Sequence, residues 1–500
     1  MKKNISRRNF IASAASTAAT ISIVPSHVIA GSGKVPPSDK ITVANIGCGT
    51  QGLREMGDLL THEQIQVVAV CDPNRKSNNY LDWSPTGLRD GIRKVLNDQT
   101  WGEGEKGIVA GREVAKAYVD QYYSKNMAGG KGCASYEDFR ELLENEKDID
   151  VLKIMTPDHL HATIALAGMS KGVNVITHKP IANRMYEARK TIKMAKDNGL
   201  KTHLLAWSNR PEYDLVFKWI QDGVIGELKE IHNWSYRPVW PQFTGLPQDR
   251  PPVPDGFNWD LWLGPVPHRP YHPNYTHNVF RGWYEFGGGS IADMGHYSLF
   301  PLFRAFGIET APVSAKAYGN TLRKAEDGVC KWIENDVAFP YSCLIKMNFP
   351  AQKTLPAFDL CWYDGGMKPF APEELEMDDR DIPEEGMMFV GDEGKILAGF
   401  RCENPEIIPA KKMDAYTGSK TSESYSRENG NNIWTDAFKN GIESPGSFIY
   451  AGPVTETINL AAVALRAKKK INYDSKYMKI TNDRDANAYL YRQYRLGWEI

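Results

Sequence analysis

Three groups of residues in this 500-residue chain have types and spacings that could do chemistry together. The first is a glycine turn, Gly47-Cys48-Gly49-Thr50-Gln51-Gly52. In a G-x-G-x-x-G turn the first glycine allows a tight bend and the second lets the backbone approach a pyrophosphate. The third lets the following helix pack closely on the preceding strand, with the helix N-terminus facing the phosphate charge. Asp72 stands 20 residues beyond Gly52, the spacing at which an acid accepts from a ribose 2′-hydroxyl. The second group centres on Lys179, in the short segment Thr177-His178-Lys179-Pro180 after an apolar stretch. A lysine there can hold a hydroxyl, lower its pKa and help move a proton while hydride leaves carbon. The third is Asp293, followed by His296 and Tyr297. On a helix both lie about one turn from Asp293, so spacing does not choose between them. Residue type favours His296, whose unperturbed pKa suits proton transfer near neutrality. The competing reading of His296 is a satisfied core histidine. Asp293 also has one, because Ser290 three residues earlier makes a capping box with it.

These groups need a scaffold that brings them to one edge. Ile41 to Ile46 is a short β-branched strand leading straight into the glycine turn, residues 53–60 read as a helix, and Ile65 to Cys71 as a buried strand ending at Asp72. Residues 73–135 are long for one crossover and read as a helix with an insertion. The alternation then resumes: strand 151–155, helix 160–169, strand 173–177, helix 183–197, strand 201–206. Strands alternating with helices predict a parallel, doubly wound sheet, so Lys179 follows a strand's carboxyl end, where such sheets bind ligands. After about Trp207 the alternation thins and aromatic residues and loops increase.

Further motifs stand in order after the strands: Thr156-Pro157-Asp158-His159-Leu160-His161, Thr177-His178-Lys179-Pro180-Ile181 and Asn209-Arg210-Pro211. They are followed by Asn258-Trp259-Asp260-Leu261-Trp262-Leu263-Gly264-Pro265, the stretch from Gly287 to His296, and Tyr494-Arg495-Leu496-Gly497-Trp498-Glu499. Together with the glycine turn this order resembles the glucose–fructose oxidoreductase/inositol dehydrogenase/MocA family over roughly residues 40–500. The resemblance implies an α/β protein: an N-terminal Rossmann-like doubly wound parallel sheet, residues 40–207, and a C-terminal α/β domain with an open, largely antiparallel sheet, residues 208–500. The second domain of the family carries the substrate site and often an oligomer interface, so a homo-oligomer is expected. The resemblance also implies that Lys179 lies beside the nicotinamide and that Asp293 is catalytic. It places Gly47, Cys48, Gly49, Thr50, Gln51, Gly52, Asp72, Thr156, Pro157, His161 and Lys179 around the cofactor. The chain departs from the family in two places. His178 replaces the glutamate that usually precedes the lysine. The family's histidine or tyrosine stands four residues after the aspartate, whereas here His296 stands at the third position and Tyr297 at the fourth; strict position favours Tyr297, which resembles the glucose–fructose oxidoreductase branch. The expected cofactor is NAD, because Asp72 would repel a 2′-phosphate; Arg75 nearby keeps NADP as an alternative.

Residues 231–286 are rich in aromatics, with Arg237, His268, Arg269, His272, His277 and Arg281 interleaved. One reading is a sugar site, with rings on apolar sugar faces and polar groups on hydroxyls. The other is aromatic packing of long loops, which most of these rings are expected to do. Arg210, Arg237 and Trp283 are the candidate substrate contacts.

Composition bounds the rest. Net charge is -1, which gives no electrostatic footprint for nucleic acid. The 7 cysteines include no C-x-x-C pair, so neither a disulfide framework nor a metal site is expected. At the N-terminus, Lys2 and Lys3 precede Ser6-Arg7-Arg8-Asn9-Phe10-Ile11, an apolar run over 12–24, Pro25 and Val28-Ile29-Ala30. This reads as a signal peptide over 1–30 followed by a linker over 31–39, and the paired arginines resemble the twin-arginine export signal, whose pathway carries folded proteins. A periplasmic location is expected. No later stretch is read as long and apolar enough to span a membrane, so the mature protein is not expected to insert in one. The expected function is an exported NAD(P)-dependent oxidoreductase acting on a hydroxyl of a sugar, polyol or sugar derivative, with tightly held, internally recycled cofactor. Two alternatives are a glycoside-cleaving enzyme that oxidises, eliminates and re-reduces, and a non-catalytic sugar- or nucleotide-binding protein on the same scaffold.

Overall fold

The computed structural model describes residues 37–126, 132–422 and 430–500. The expected signal peptide and most of the linker lie outside these residues. The first sheet has six strands: β1 (Ile41–Ile46), β2 (Ile65–Cys71), β3 (Ala134–Tyr136), β4 (Val151–Ile154), β5 (Asn174–Thr177) and β6 (Thr202–Leu204), in the order β3-β2-β1-β4-β5-β6. Every pairing in it is parallel. Strands of such a sheet are covered on both faces and read as apolar runs, as β1 and β4 do. Lys153 interrupts β4; it is buried, and its Nζ lies 2.9 Å from Glu55 Oε2 of the helix Thr50–Leu60.

The long crossover from β2 to β3 holds two helices, Gly87–Leu96 and Arg112–Asn126, where the sequence suggests one helix and an insertion. Leu88, Ile92 and Leu96 recur at helical spacing and bury the first of these. The part of the crossover before it reaches across the molecule: Arg75 N–H donates to Gly256 O, and Asn258 N–H donates to Pro73 O.

The second sheet is built from β7 (Leu228–Trp234), β8 (Ser314–Gly319), β11 (Cys343–Phe349), β12 (Phe358–Tyr363), β13 (Gly386–Gly391), β14 (Lys395–Ala398), β15 (Glu406–Ile408), β16 (Ile471–Asp474) and β17 (Lys479–Ile480). Its order is β15-β14-β13-β7-β12-β11-β8-β16-β17. Only β7 and β12 pair in parallel; the other pairs are antiparallel. In β11, Cys343, Ile345, Met347 and Phe349 are buried and the residues between them are half-buried, the period-two pattern of a sheet with one covered face. Strands β9 (Leu322–Glu326) and β10 (Val329–Ile333) form a separate, exposed hairpin.

One apolar core runs through both sheets, taking Ile154 and Leu204 from the first and Ile231 and Trp362 from the second. The chain also returns late to the first sheet. Trp434, on the helix Gly430–Lys439, is fully buried in the cluster that holds Val43, Leu53 and Val67. The helix Phe448–Ala467 corrects one sequence expectation. It is long and apolar enough to cross a membrane, with a mean hydropathy of 1.3, but 72% of that window is buried inside the protein. Its apolarity is that of a core helix wedged among neighbours.

The late return yields a test. Trp434→Ala is expected to destabilise the protein by about 3–5 kcal/mol, the usual cost of emptying a buried tryptophan site. The unfolding midpoint in denaturant measures it. A variant as stable as the parent would mean the returning helix contributes nothing to the first core.

Candidate active site

The glycine turn leaves β1 and enters the helix Thr50–Leu60, capped at Gly49 with no side-chain hydrogen bond to its first turn. That leaves first-turn N–H groups for an anion. Gly47 has φ +97°, and a Cβ there would lie 2.6 Å from the Met155 carbonyl; one at Gly52 would lie 2.2 Å from Gly47 O. Both positions therefore require glycine. Asp72, at the end of β2, accepts from the N–H of Cys48 at 2.7 Å and from the N–H of Asn74 at 2.8 Å. Burial raises its carboxyl to about 6 against those two bonds. Asp72 thus braces the turn directly, a role its spacing did not reveal. Cys48 is fully buried behind it. The side chains of Thr50 and Gln51 go to protein groups, Leu81 O and Glu55.

These features fit a dinucleotide. The cradle has no room for a Cβ at two positions, and the buried hydroxyls of Thr156 and Thr177, after β4 and at the end of β5, have no hydrogen-bond partner. Pro157 starts the 3-10 turn that follows Thr156. His161 does something other than reach for cofactor: Nδ1 lies 2.6 Å from Pro180 O and Nε2 lies 2.9 Å from Thr156 O. Both ring nitrogens face backbone, so His161 ties the loop after β4 to the loop carrying Lys179.

Lys179 is almost wholly buried, and its Nζ donates to Asp293 Oδ1 at 2.7 Å. Burial lowers the lysine's pKa while Asp293 pulls it back up. Burial would raise Asp293, yet Lys179 and Arg281 beside it hold the carboxyl at about 2. Arg281 Nε lies 3.1 Å from the same Oδ1 without aligning for a hydrogen bond.

The expected cap at Ser290 is absent. Ser290 makes no cap bond, its hydroxyl instead bonding Asp364, and Ile291–Gly295 winds as a π turn before the helix His296–Phe306. With i→i+5 bonding each turn holds more residues, so the fourth residue, more than the third, returns to the side of Asp293. The structure accordingly separates the two candidates. The ring of Tyr297 lies 5.1 Å from Lys179 Nζ, and its hydroxyl is 3.0 Å from His178 Nε2. His296 is fully buried, with Nδ1 at 3.1 Å from Ala292 O, and burial drops its pKa to about 3. His178, in the family's glutamate position, is the partner that holds the Tyr297 phenol. Burial, then Lys179 and Arg281, push it well below the usual histidine range.

The candidate substrate residues part ways. Arg237 has its guanidinium 4.6 Å from the Trp83 ring and contributes to lowering Asp293. Arg210 is paired with Glu403 at 3.2 Å. Trp283 does not reach the site: it is 1% exposed, stacked on Phe243, and its N–H donates to Asn274 O. Its type suggested a sugar platform, but the aromatic loops use it as core, together with Trp240, Trp259, Trp262 and Tyr275. Arg401, whose guanidinium lies 4.7 Å from the Tyr297 ring, was not signalled by any motif.

The parallel sheet, the glycine cradle and a lysine–aspartate pair at the strands' carboxyl edge define a Rossmann-type, NAD-binding oxidoreductase fold. Two family descriptions match the chain: "Oxidoreductase family, NAD-binding Rossmann fold" over residues 112–205 and "Oxidoreductase family, C-terminal alpha/beta domain" over residues 216–358. Both descriptions are of the glucose–fructose oxidoreductase/inositol dehydrogenase/MocA family, which the chain resembles over these two stretches. It is 33% identical to levoglucosan dehydrogenase of Pseudarthrobacter phenanthrenivorans over 114 residues, 21% of this chain and 29% of that protein. It is 28% identical to inositol 2-dehydrogenase of Salmonella paratyphi B over 131 residues, 26% of this chain and 36% of that protein. The chain thus spans about a third of the length of these curated relatives. The structure of the WlbA dehydrogenase from Bordetella pertussis superposes with a TM-score of 0.52 at 13% identity, covering 87% of this chain and 99% of that one, a likeness of fold alone.

Asp72→Ala is expected to leave the Cys48 and Asn74 N–H groups unpaired. The expected loss is about 1–3 kcal/mol of stability per buried unsatisfied group, together with weaker NAD binding in calorimetry. Unchanged NAD affinity would place the cofactor elsewhere.

Proposed function

We propose that the chain is an NAD-dependent oxidoreductase acting on a hydroxyl-bearing carbon of a sugar, polyol or sugar derivative. The observation that carries this reading is the buried Lys179–Asp293 pair, 2.7 Å apart, at the same strand edge as the glycine turn. The turn, Thr156 and Thr177 are the residues that would hold the dinucleotide. When bound, NAD supplies a hydride acceptor.

The chain's own groups handle the proton. A lysine whose pKa is lowered by burial can take a hydroxyl proton at Nζ. Asp293 accepts from Nζ and fixes its direction; held at about 2, it stays ionised and is a poor proton acceptor itself. The phenol of Tyr297, raised mainly by burial, stays protonated and serves as a donor. Neutral His178 keeps that phenol in place. His161 holds the two loops together from behind.

We further propose export through the twin-arginine route, on the strength of Arg7 and Arg8 and the apolar run after them. A folded protein leaving the cytoplasm would carry its cofactor with it. Retention favours a redox-neutral cycle, in which one site both oxidises and reduces. Tyr80 supports retention, because its ring covers Gly49 and lies 3.9 Å from the His277 ring, closing the outer side of the turn. The glycoside-cleaving variant of this chemistry would release free sugar without accumulating NADH.

Lys179→Ala is expected to lower turnover by ~10²–10⁴ without unfolding the protein, the usual scale for a lost acid–base group. Tyr297→Phe is expected to slow turnover more than His296→Ala, whose effect falls on stability; equal and wild-type rates in all three would refute the constellation. The pH profile gives a signed test. Asp293 raises the lysine's pKa, so Asp293→Asn is expected to shift the acid-side limb of kcat/KM for oxidation, along which neutral Lys179 appears, to lower pH, and a shift upward would exclude Lys179 as the base. Protein isolated from the periplasm is expected to be active with no NAD added. Cofactor-free protein that needs added NAD and releases stoichiometric NADH would end the retention proposal.

A further inference from the structure

Arg237 follows β7 in the second domain and is 8% exposed, yet its Nε and Nη1 are buried with no hydrogen-bond partner. An unpaired buried guanidinium is costly, and such a group in a folded protein calls for a partner. The nearest walls are aromatic. The guanidinium carbon lies 4.6 Å from the Trp83 ring and 5.4 Å from the Tyr236 ring. Both rings are more than half exposed, so Arg237 lies just beneath the surface beside them. Trp83 comes from the long β2–β3 crossover and Arg237 from the second domain, so two separate parts of the chain meet there.

The charges around Asp293 do not balance. Lys179, Arg281 and Arg237 all act on that one carboxylate, and Lys179 and Arg281 already occupy Oδ1. Arg401 adds a fourth cation over the Tyr297 ring. The other carboxylates that act there are Asp158, which is buried and raised by that burial, and Glu403 and Glu55, which are already paired with Arg210 and Lys153. Among the described residues, neither Arg237 nor Arg401 has a carboxylate within ion-pair distance. A site with this surplus, just beneath the exposed Trp83 ring, is complementary to an anion.

We propose that the substrate carries an oxyanion, a carboxylate or phosphate on the sugar, and that Arg237 binds it beside Trp83 and Tyr236. The inference rests on the sugar-oxidoreductase reading above and narrows its substrate class to acidic sugars. Nε and Nη1 of Arg237 would supply charge-assisted hydrogen bonds there, stronger than those to a neutral hydroxyl.

The test is calorimetry on the full protein with NAD present, using D-glucose, D-glucuronate, D-gluconate and D-glucose 6-phosphate. At least one acidic sugar is expected to bind about ten- to a hundredfold more tightly than D-glucose, the scale of one charged hydrogen bond. The carboxylate and phosphate arms tell which oxyanion fits. Arg237→Met keeps the stem, removes the charge and is expected to erase the preference; Arg237→Lys is expected to keep part of it. Without ligand, Arg237→Met is expected to unfold no earlier than the parent, because it removes an unpaired buried charge. Equal or tighter binding of D-glucose, no binding of any acidic sugar, a preference that survives in Arg237→Met, or a marked stability loss in that variant would each overturn the proposal. Reduced-nicotinamide absorbance separates the two readings. Turnover of D-glucose without acidic preference sinks this inference and leaves the oxidoreductase standing. Preferential binding with no hydride transfer from any sugar upholds the oxyanion site and counts against the oxidoreductase.

Discussion

The burial of one charged amine governs how this protein is put together. Lys179 is 2% exposed, and a lysine in that position is tolerated only where an opposite charge meets it. That charge comes from Asp293, beyond the end of the first sheet by the whole of β7 and the aromatic loops. The pair therefore pins the loop after β5 to the helix at 291–306, and without Asp293 the buried amine would lose the one carboxylate within ion-pair distance of it among the described residues. Much nearby structure serves that contact. His161 holds the Lys179 loop from one side, and the π turn at Ile291–Gly295 swings Asp293 and Tyr297 toward it from the other.

What could be read from sequence follows from how local the cause is. Strands β1 and β2 were legible to the residue, because a buried parallel strand is an unbroken apolar run and the glycine turn and Asp72 punctuate it. The helices after β1, β4 and β5 were legible to within a few residues, since their ends fray and no side chain caps them, whereas Gly87–Leu96, Arg112–Asn126 and Phe139–Asn145 were not resolved within the long crossover and the loop after β3. Lys179 and Asp293 were legible as a resemblance, although nothing local in the sequence says that they touch.

The parts that escaped depend on distant chain. A serine three residues before an aspartate is a sound signal for a capped helix, but here Lys179 takes the aspartate and Asp364 takes the serine. The choice between His296 and Tyr297 turns on a locally widened helix, which residue spacing cannot express. Asp72 spends both carboxylate oxygens on backbone N–H groups, one of them 24 residues earlier in the turn it braces. Trp283 and Arg237 lie in the same aromatic stretch and looked alike as ligand contacts. One became interior packing with its N–H satisfied, and the other an arginine without a partner.

The placement of Trp434 has a consequence for how the chain matures. It fills the interior of the first sheet beside Val43 and Leu53, the strand and helix that flank the glycine turn. Synthesis makes those two elements almost at the outset and the tryptophan near the end. The nucleotide cradle therefore cannot reach its final packing until most of the chain has been made. Order of synthesis and order of completion are opposed: the earliest sheet is among the last parts to close.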